Sequence, residues 1–156
     1  MPARSPPFPE QDVDFYDTFE HTIDGKGRLV LPASYRAAFT SGGFVTFLGK
    51  YAALFTPEEW EKYRRRLEQS GQFTREQLQY LFSFVTPFQP DAQNRIGVSQ
   101  RLREKVGLER DVTIVGSVSH AAIYPRDEWT RVEAAIEAPS DDGRSIVDKF
   151  SELEFL

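Results

Sequence analysis

Asp24-Gly25-Lys26-Gly27-Arg28-Leu29-Val30-Leu31-Pro32-Ala33-Ser34-Tyr35-Arg36 recurs in altered form as Asp91-Ala92-Gln93-Asn94-Arg95-Ile96-Gly97-Val98-Ser99-Gln100-Arg101-Leu102-Arg103. The two aspartates, Arg28 and Arg95, and Arg36 and Arg103 are each 67 residues apart. Downstream, Phe47-Leu48-Gly49 aligns with Ile114-Val115-Gly116 at the same spacing. Phe55-Thr56-Pro57-Glu58-Glu59-Trp60 aligns with Tyr124-Pro125-Arg126-Asp127-Glu128-Trp129, where the spacing at the tryptophans has grown to 69. A period of this kind means two copies of one supersecondary unit, with small insertions absorbed by loops. A unit of about fifty residues is near the smallest that holds a core unaided, so the copies are expected to pack on each other.

Composition narrows the class. The chain has 156 residues, no cysteine and a net charge of −5. The missing cysteine excludes disulfides and thiolate metal sites and suits a reducing compartment. No apolar run reaches signal-peptide or membrane-span length, so a soluble, cytoplasmic protein without a membrane partner is expected. The charge is unevenly spread. Residues 1–20 hold five acids against one arginine, and residues 137–156 hold six acids against two bases. Residues 21–136 hold 16 Lys/Arg against 13 Asp/Glu, a mildly basic body compatible with a polyanion. The acidic ends read as solvated tails, the first, over 1–13, disordered.

Periodicity and punctuation give each copy the plan strand–turn–strand–helix–hairpin–helix. The first copy runs as a strand from Phe15 to Ile23, the turn Asp24–Gly27, a strand at Arg28–Leu31, and a short helix from Pro32 to Phe39. A hairpin over 44–55 and a helix over 57–69 follow. Thr56 and Glu59 are placed as a capping box at that helix start. A linking helix is expected over 74–84. The second copy then repeats the plan from Val85 to Glu137, with Ser99 capping its first helix, and a last short helix is expected from Ile146 to Leu156.

Catalysis finds no residues to work with. The two histidines, His21 and His120, lack a spacing that suggests a metal or a nucleophile–base pair, and both read as surface residues. His21 has no counterpart in the second copy, where Gln89 or Pro90 falls. No glycine-rich loop joins a strand to a helix, so no nucleotide cradle is present. The expectation is a non-enzyme without metal or cofactor.

The repeated turn carries more. Lys26 and Arg28 sit at the tip and shoulder of a tight bend, where glycines tolerate positive φ and Asp24 bonds its own backbone two residues on. A β-ribbon of this kind enters a DNA major groove. Lys26 then serves as a phosphate charge, and Arg28 reaches phosphate or the O6/N7 edge of guanine. A solvated turn held by an Asp–Arg pair is the plain alternative. Arg64-Arg65-Arg66 and Lys62, interleaved with Glu58, Glu59, Glu61 and Glu68, read as i,i+4 pairs on a solvated face. Trp60, Trp129, Phe55 and Tyr124 read as core or subunit contacts, and Phe82–Phe88 as buried between the halves. Phe150, Leu153, Phe155 and Leu156 either dock on a neighbouring subunit or fray.

The string Asp24–Arg36, with Phe15 nine residues ahead of it, resembles the MraZ family of bacterial transcriptional regulators. The resemblance covers about residues 15–137 and includes the Pro-acid-acid-Trp pattern around Trp60 and Trp129. It implies an α+β fold of two tandem AbrB-like (SpoVT-AbrB) swapped-hairpin domains, interlocked as a small β-barrel with flanking helices. The division it implies is a tail over 1–13, domain 1 over 14–70, a linking helix over 71–84, domain 2 over 85–138 and an acidic tail over 139–156. It further implies a homo-oligomeric ring, an octamer or a dodecamer, associated with the nucleoid. Such a ring binds double-stranded DNA at direct repeats upstream of the division and cell-wall gene cluster, its own promoter included.

By the same resemblance the DNA-contacting residues are Lys26 and Arg28 in the first motif and Gln93 and Arg95 in the second. Asp24, Gly25, Gly27, Asp91 and Asn94 are turn-structural. The second motif departs from the family pattern: Gln93 lacks the charge of Lys26, Asn94 replaces Gly27, Ser99 replaces Pro32, and Gly97 stands in place of Val30. Asn tolerates positive φ, so the turn survives, but Arg28 is expected to matter more than Arg95. In the family's usual opening a glycine follows the phenylalanine by two residues, whereas Asp17 stands there here. The alternative function is a ring-forming protein-interaction module without specific DNA binding. An AbrB-like antitoxin subunit is disfavoured, because such antitoxins carry one hairpin domain and a disordered toxin-binding tail.

Overall fold

The computed structural model describes residues 14–153, so the tail expected over 1–13 and the residues Phe155 and Leu156 lie outside the described residues. One compact unit ends at Pro125 and a second begins at Arg126.

The first unit interleaves the two copies strand by strand. The first copy supplies β1 (Thr18–Thr22), β2 (Arg28–Val30), β3 (Gly43–Leu48), β4 (Tyr51–Phe55) and helix α1 (Pro57–Gln69). After α2 (Arg75–Phe82), the second copy supplies β5 (Thr86–Phe88), β6 (Arg95–Gly97), α3 (Gln100–Val106), β7 (Asp111–Gly116) and β8 (Ala121–Pro125). Six strands form one sheet in the order β1-β7-β8-β4-β3-β5, and β2 pairs with β6 as a separate ribbon. Every strand pair is antiparallel. The opening strand of each copy thus adds to the hairpin of the other copy, β1 to β7 and β5 to β3. The hairpins meet at β4–β8, with Ala53 opposite Ala122, and the ribbon strands meet with Leu29 opposite Ile96.

One core fills the space shared by sheet and ribbon. Leu29, Leu31, Ile96 and Val98 from the ribbon region join Val45, Leu54, Val112, Ile114 and Ile123 from the sheet, all buried. Phe15, Tyr35 and Phe39 close one side of it as an aromatic group. A second cluster gathers Ala53, Phe55 and Trp60 beneath α1. Phe84 is buried in the main core, edge-on to Phe47 at 5.0 Å. Neither copy alone supplies this core, as expected for units near the smallest size that holds one unaided.

The register corrects the sequence alignment. Hairpin β3–β4 turns through Gly49-Lys50 with Gly49 at φ 68°, and β7–β8 turns with Val118 at φ 62°. Gly49 and Val118 hold the same turn position, so the spacing is already 69 through both hairpins and Phe47, not Gly49, corresponds to Gly116. The two extra residues lie in the loop between α3 and β7. The ladders likewise place His21 opposite Val112 and Phe88 opposite Gly43, so Phe88, rather than Gln89 or Pro90, is the counterpart of His21.

Local chemistry explains the remaining differences. The helix expected from Pro32 to Phe39 is two short 3-10 turns, Ala33–Tyr35 and Ala37–Phe39, with Pro32 preceding them and no side-chain cap. In the second copy the Ser99 hydroxyl accepts from the Leu102 N–H at 3.2 Å, and a true α-helix follows. At α1 only half of the expected capping box forms. Thr56 Oγ1 accepts from the Glu59 N–H at 3.2 Å, while the Glu59 carboxylate turns to Lys62. The complete box is at α2, between Thr74 and Gln77.

Asp17, standing where the family pattern has glycine, sits at φ 76°, in the left-handed region that favours glycine. Its carboxylate accepts from the Thr18 N–H at 2.7 Å, a local bond that helps an aspartate hold this conformation. Asp17→Gly is therefore expected to raise unfolding stability by about 0.5–1 kcal/mol, read by chemical denaturation. A loss of stability would show that the carboxylate bond outweighs the backbone strain.

The second unit contains α4 (Arg126–Glu137) and α5 (Ile146–Leu153), joined by a turn at Ser140–Gly143. Ser145 and Asp148 cap α5 reciprocally, at 3.1 and 2.8 Å, and Val147, Phe150 and Leu153 are exposed along it.

Candidate nucleic-acid interface

The ribbon is made by the two repeated turns. Asp24 Oδ1 accepts from the Lys26 and Arg28 N–H groups, both at 2.9 Å, and Oδ2 accepts from Arg28 Nε at 2.8 Å. Asp91 does the same for Gln93, Arg95 and Arg95 Nε, at 2.9, 2.9 and 2.8 Å. The fourth residue closes each turn, Gly27 N–H to the Asp24 carbonyl at 3.0 Å and Asn94 N–H to the Asp91 carbonyl at 2.9 Å. Of the first turn's two glycines only Gly27 needs positive φ, at 78°, and Asn94 sits at 60°. These bonds hold both aspartates below the usual carboxylate range. The backbone N–H of Arg28 is the largest cause at Asp24, and that of Arg95 at Asp91.

Each turn is also clamped by the other copy. The Gly27 carbonyl accepts from Val98 N–H at 2.8 Å, and the Asn94 carbonyl from Leu31 N–H at 2.9 Å. Arg36 and Arg103, the other repeated arginines, donate Nε to the carbonyls of Leu31 and Val98 at 3.2 and 3.0 Å. They brace the ribbon ends, a structural role left unassigned by sequence reasoning. Their strict 67-residue spacing was the available signal.

A local hairpin between β1 and β2 was expected, yet these strands form no ladder with each other: next to the turn they meet at the Ile23–Leu29 bridge and the Asp24 N–H to Arg28 carbonyl bond, at 2.9 Å. β2 takes β6 as its ladder partner, because that pairing sets Leu29 against Ile96 on the buried face. Alternation then puts Arg28 and Val30, with Arg95 and Gly97, on the opposite, outward face. Arg28 lies opposite Gly97 and Val30 opposite Arg95, so the two arginines stand on one diagonal, about 7–8 Å apart at the backbone. Their side chains are 35% and 29% exposed, and Lys26, Gln93, Asp24, Gly25 and Asp91 are exposed at the tips. The two sites differ in one further bond: Arg95 Nη2 donates to Gln93 Oε1 at 3.2 Å.

This face presents two aspartate-held guanidinium groups, with the exposed ammonium of Lys26 at the tip. Such groups match phosphate and guanine acceptors. The basic run on α1 is otherwise engaged, Arg64 with Glu61 and Glu68, and Arg65 with Glu61. Among the described residues no group of three His, Cys, Asp or Glu side chains is placed to hold a metal ion. No helix among them is long and apolar enough to cross a membrane.

His120 is not the surface residue expected. It is buried, stacked on Tyr51 and close to Phe55, with Nε2 3.1 Å from Tyr51 Oη and Nδ1 3.0 Å from Ser119 Oγ. Burial is the main cause that lowers its pKa below the ordinary histidine value. The folded protein then binds this proton less readily than the unfolded chain, so stability is full above about pH 6.5 and falls as pH drops through the lowered pKa. Thermal unfolding is expected to show this decline, and His120→Gln is expected to flatten it. An unchanged slope in the variant would assign the decline elsewhere.

The family described as "MraZ protein, putative antitoxin-like" matches residues 15–83 and again 81–148. Curated relatives named "Transcriptional regulator MraZ" are similar over most of their length. That of Roseiflexus sp. (strain RS-1) is 32% identical over 90% of this chain and 99% of its own. That of Desulforamulus reducens is 32% identical over 86% and 98%. That of Desulfosudis oleivorans is 34% identical over 74% and 82%.

Proposed function

The chain belongs to the MraZ family, and on that premise we propose that it is a sequence-specific DNA-binding transcriptional regulator acting through the β2–β6 ribbon. The observation that carries this reading is the pair of Asp-fixed arginines, Arg28 and Arg95, on one outward diagonal. The ribbon enters the major groove, Lys26 meets phosphate, Arg28 reads a guanine edge, and Arg95 with Gln93 gives a weaker second contact. Residues 14–70 and 85–138 are the two SpoVT-AbrB domains that jointly build it.

One ribbon offers few contacts. Subunits assembled in a ring hold several ribbons at fixed spacing, which raises the effective concentration of each for tandem sites. The sites are direct repeats upstream of the division and cell-wall gene cluster, in the nucleoid, and they include the protein's own promoter.

The test is a gel shift of the full chain on duplexes carrying the upstream direct repeats, at two salt concentrations, beside light scattering for subunit number. Specific binding that weakens steeply with salt is the expected result. An oligomer that shifts no duplex would favour the protein-interaction module instead.

A further inference from the structure

The outward face of the ribbon is two-fold in its arginines but not between them. Val30 is 37% exposed beside Arg95, and its counterpart Gly97, beside Arg28, carries no side chain. A Cβ built at Gly97 meets nothing within 4 Å, so the packing does not require a glycine there. Neither position contributes to the core, since the buried residues of this ribbon are Leu29 and Ile96. The Val98–Gly27 and Leu31–Asn94 backbone bonds make 28–97 and 30–95 the non-hydrogen-bonded pairs, whose backbones approach to about 4.5 Å. Each guanidinium is tied to its own turn by Asp24 or Asp91, and the floor between the arginines is formed by Val30 and Gly97, both exposed. That floor is apolar on one side and bare backbone on the other.

We infer that Val30 is a specificity residue that packs on the C5-methyl group of a thymine in the major groove, while Gly97 leaves the symmetry-related base uncontacted. The inference rests on the DNA-binding reading above. Among the base-pair edges facing the major groove, only thymine offers an apolar methyl, and a short branched side chain in exposed extended backbone is suited to meet it. One valine and one glycine make this contact one-sided, so a single ribbon distinguishes a site from its reverse.

The test uses the full chain and the duplex that the wild-type protein selects from a randomised pool. Thymines are replaced one at a time by deoxyuridine, which deletes only the methyl group, and affinity is read by fluorescence anisotropy. The wild type is expected to lose about fourfold at one thymine position per ribbon, the value of one buried methyl. Val30→Ala is expected to bind the thymine and uracil duplexes alike. Gly97→Val is expected to acquire a second sensitive position, related to the first by the ribbon's two-fold. Melting curves of both variants check that the fold is kept. A wild type that selects a duplex yet ignores every thymine-to-uracil change overturns this inference alone. A wild type that selects no duplex overturns the DNA-binding reading, and this inference with it.

Discussion

Arg28→Ala is expected to lower operator affinity at least about fivefold, and at least about thirtyfold where two ribbons of one assembly engage neighbouring repeats. A bidentate arginine–guanine contact is worth about 1–3 kcal/mol, and losses at linked sites compound. The fold should survive, since Asp24 keeps the Lys26 N–H and the backbone N–H of residue 28, and the ribbon keeps its buried Leu29–Ile96 pair. Arg95→Ala is expected to cost less. Its side chain is slightly less exposed, one of its terminal nitrogens is occupied by Gln93, and its turn lacks the charge of Lys26. Arg28→Lys should fall between wild type and Arg28→Ala, because it retains charge without the planar fork. Anisotropy titrations of the four proteins on one duplex decide the order. Full affinity in Arg28→Ala would remove the ribbon from the interface.

Leu29→Ala is expected to produce the largest loss of stability, about 2–5 kcal/mol, as deletion of a fully buried leucine does. Leu29 is 0% exposed and faces Ile96 where the two copies cross, so the cavity would open in the one core that both copies share. For a chain of this length each kcal/mol lowers the melting temperature by about 2–4 °C. Leu29→Met, which nearly conserves volume, should cost less than about 1.5 kcal/mol. A melting temperature unchanged in Leu29→Ala would mean that the ribbon is seated by something other than this pair.

The turns were legible because their bonding is local. Asp24 reaches backbone groups two and four residues on, and a positive φ is needed at one known position, so spacing and residue type suffice. The β3–β4 and β7–β8 hairpins and the Thr56 and Ser99 helix caps were legible for the same reason. The short helix after Pro32 was misread because proline suits either the residue before a helix or its first position, and only the missing side-chain cap separates the outcomes. His120 was misread because its burial depends on Tyr51, 69 residues away. The place of the hairpin drift was misread because phenylalanine, valine and isoleucine are interchangeable in a strand, whereas a turn at positive φ tolerates no shift.

By itself the amino-acid order settled that this chain is one unit written twice, with an aspartate-held bend and an arginine in each copy. Those features depend on neighbours within a few residues, and a repeat needs no coordinates to be seen. Only the tertiary structure decided which strand each bend would pair with. Three residues of ladder do not select a partner by their own hydrogen bonds. Burial of Leu29 against Ile96 selects it, and that same burial turns Arg28, Val30 and Arg95 outward on one face.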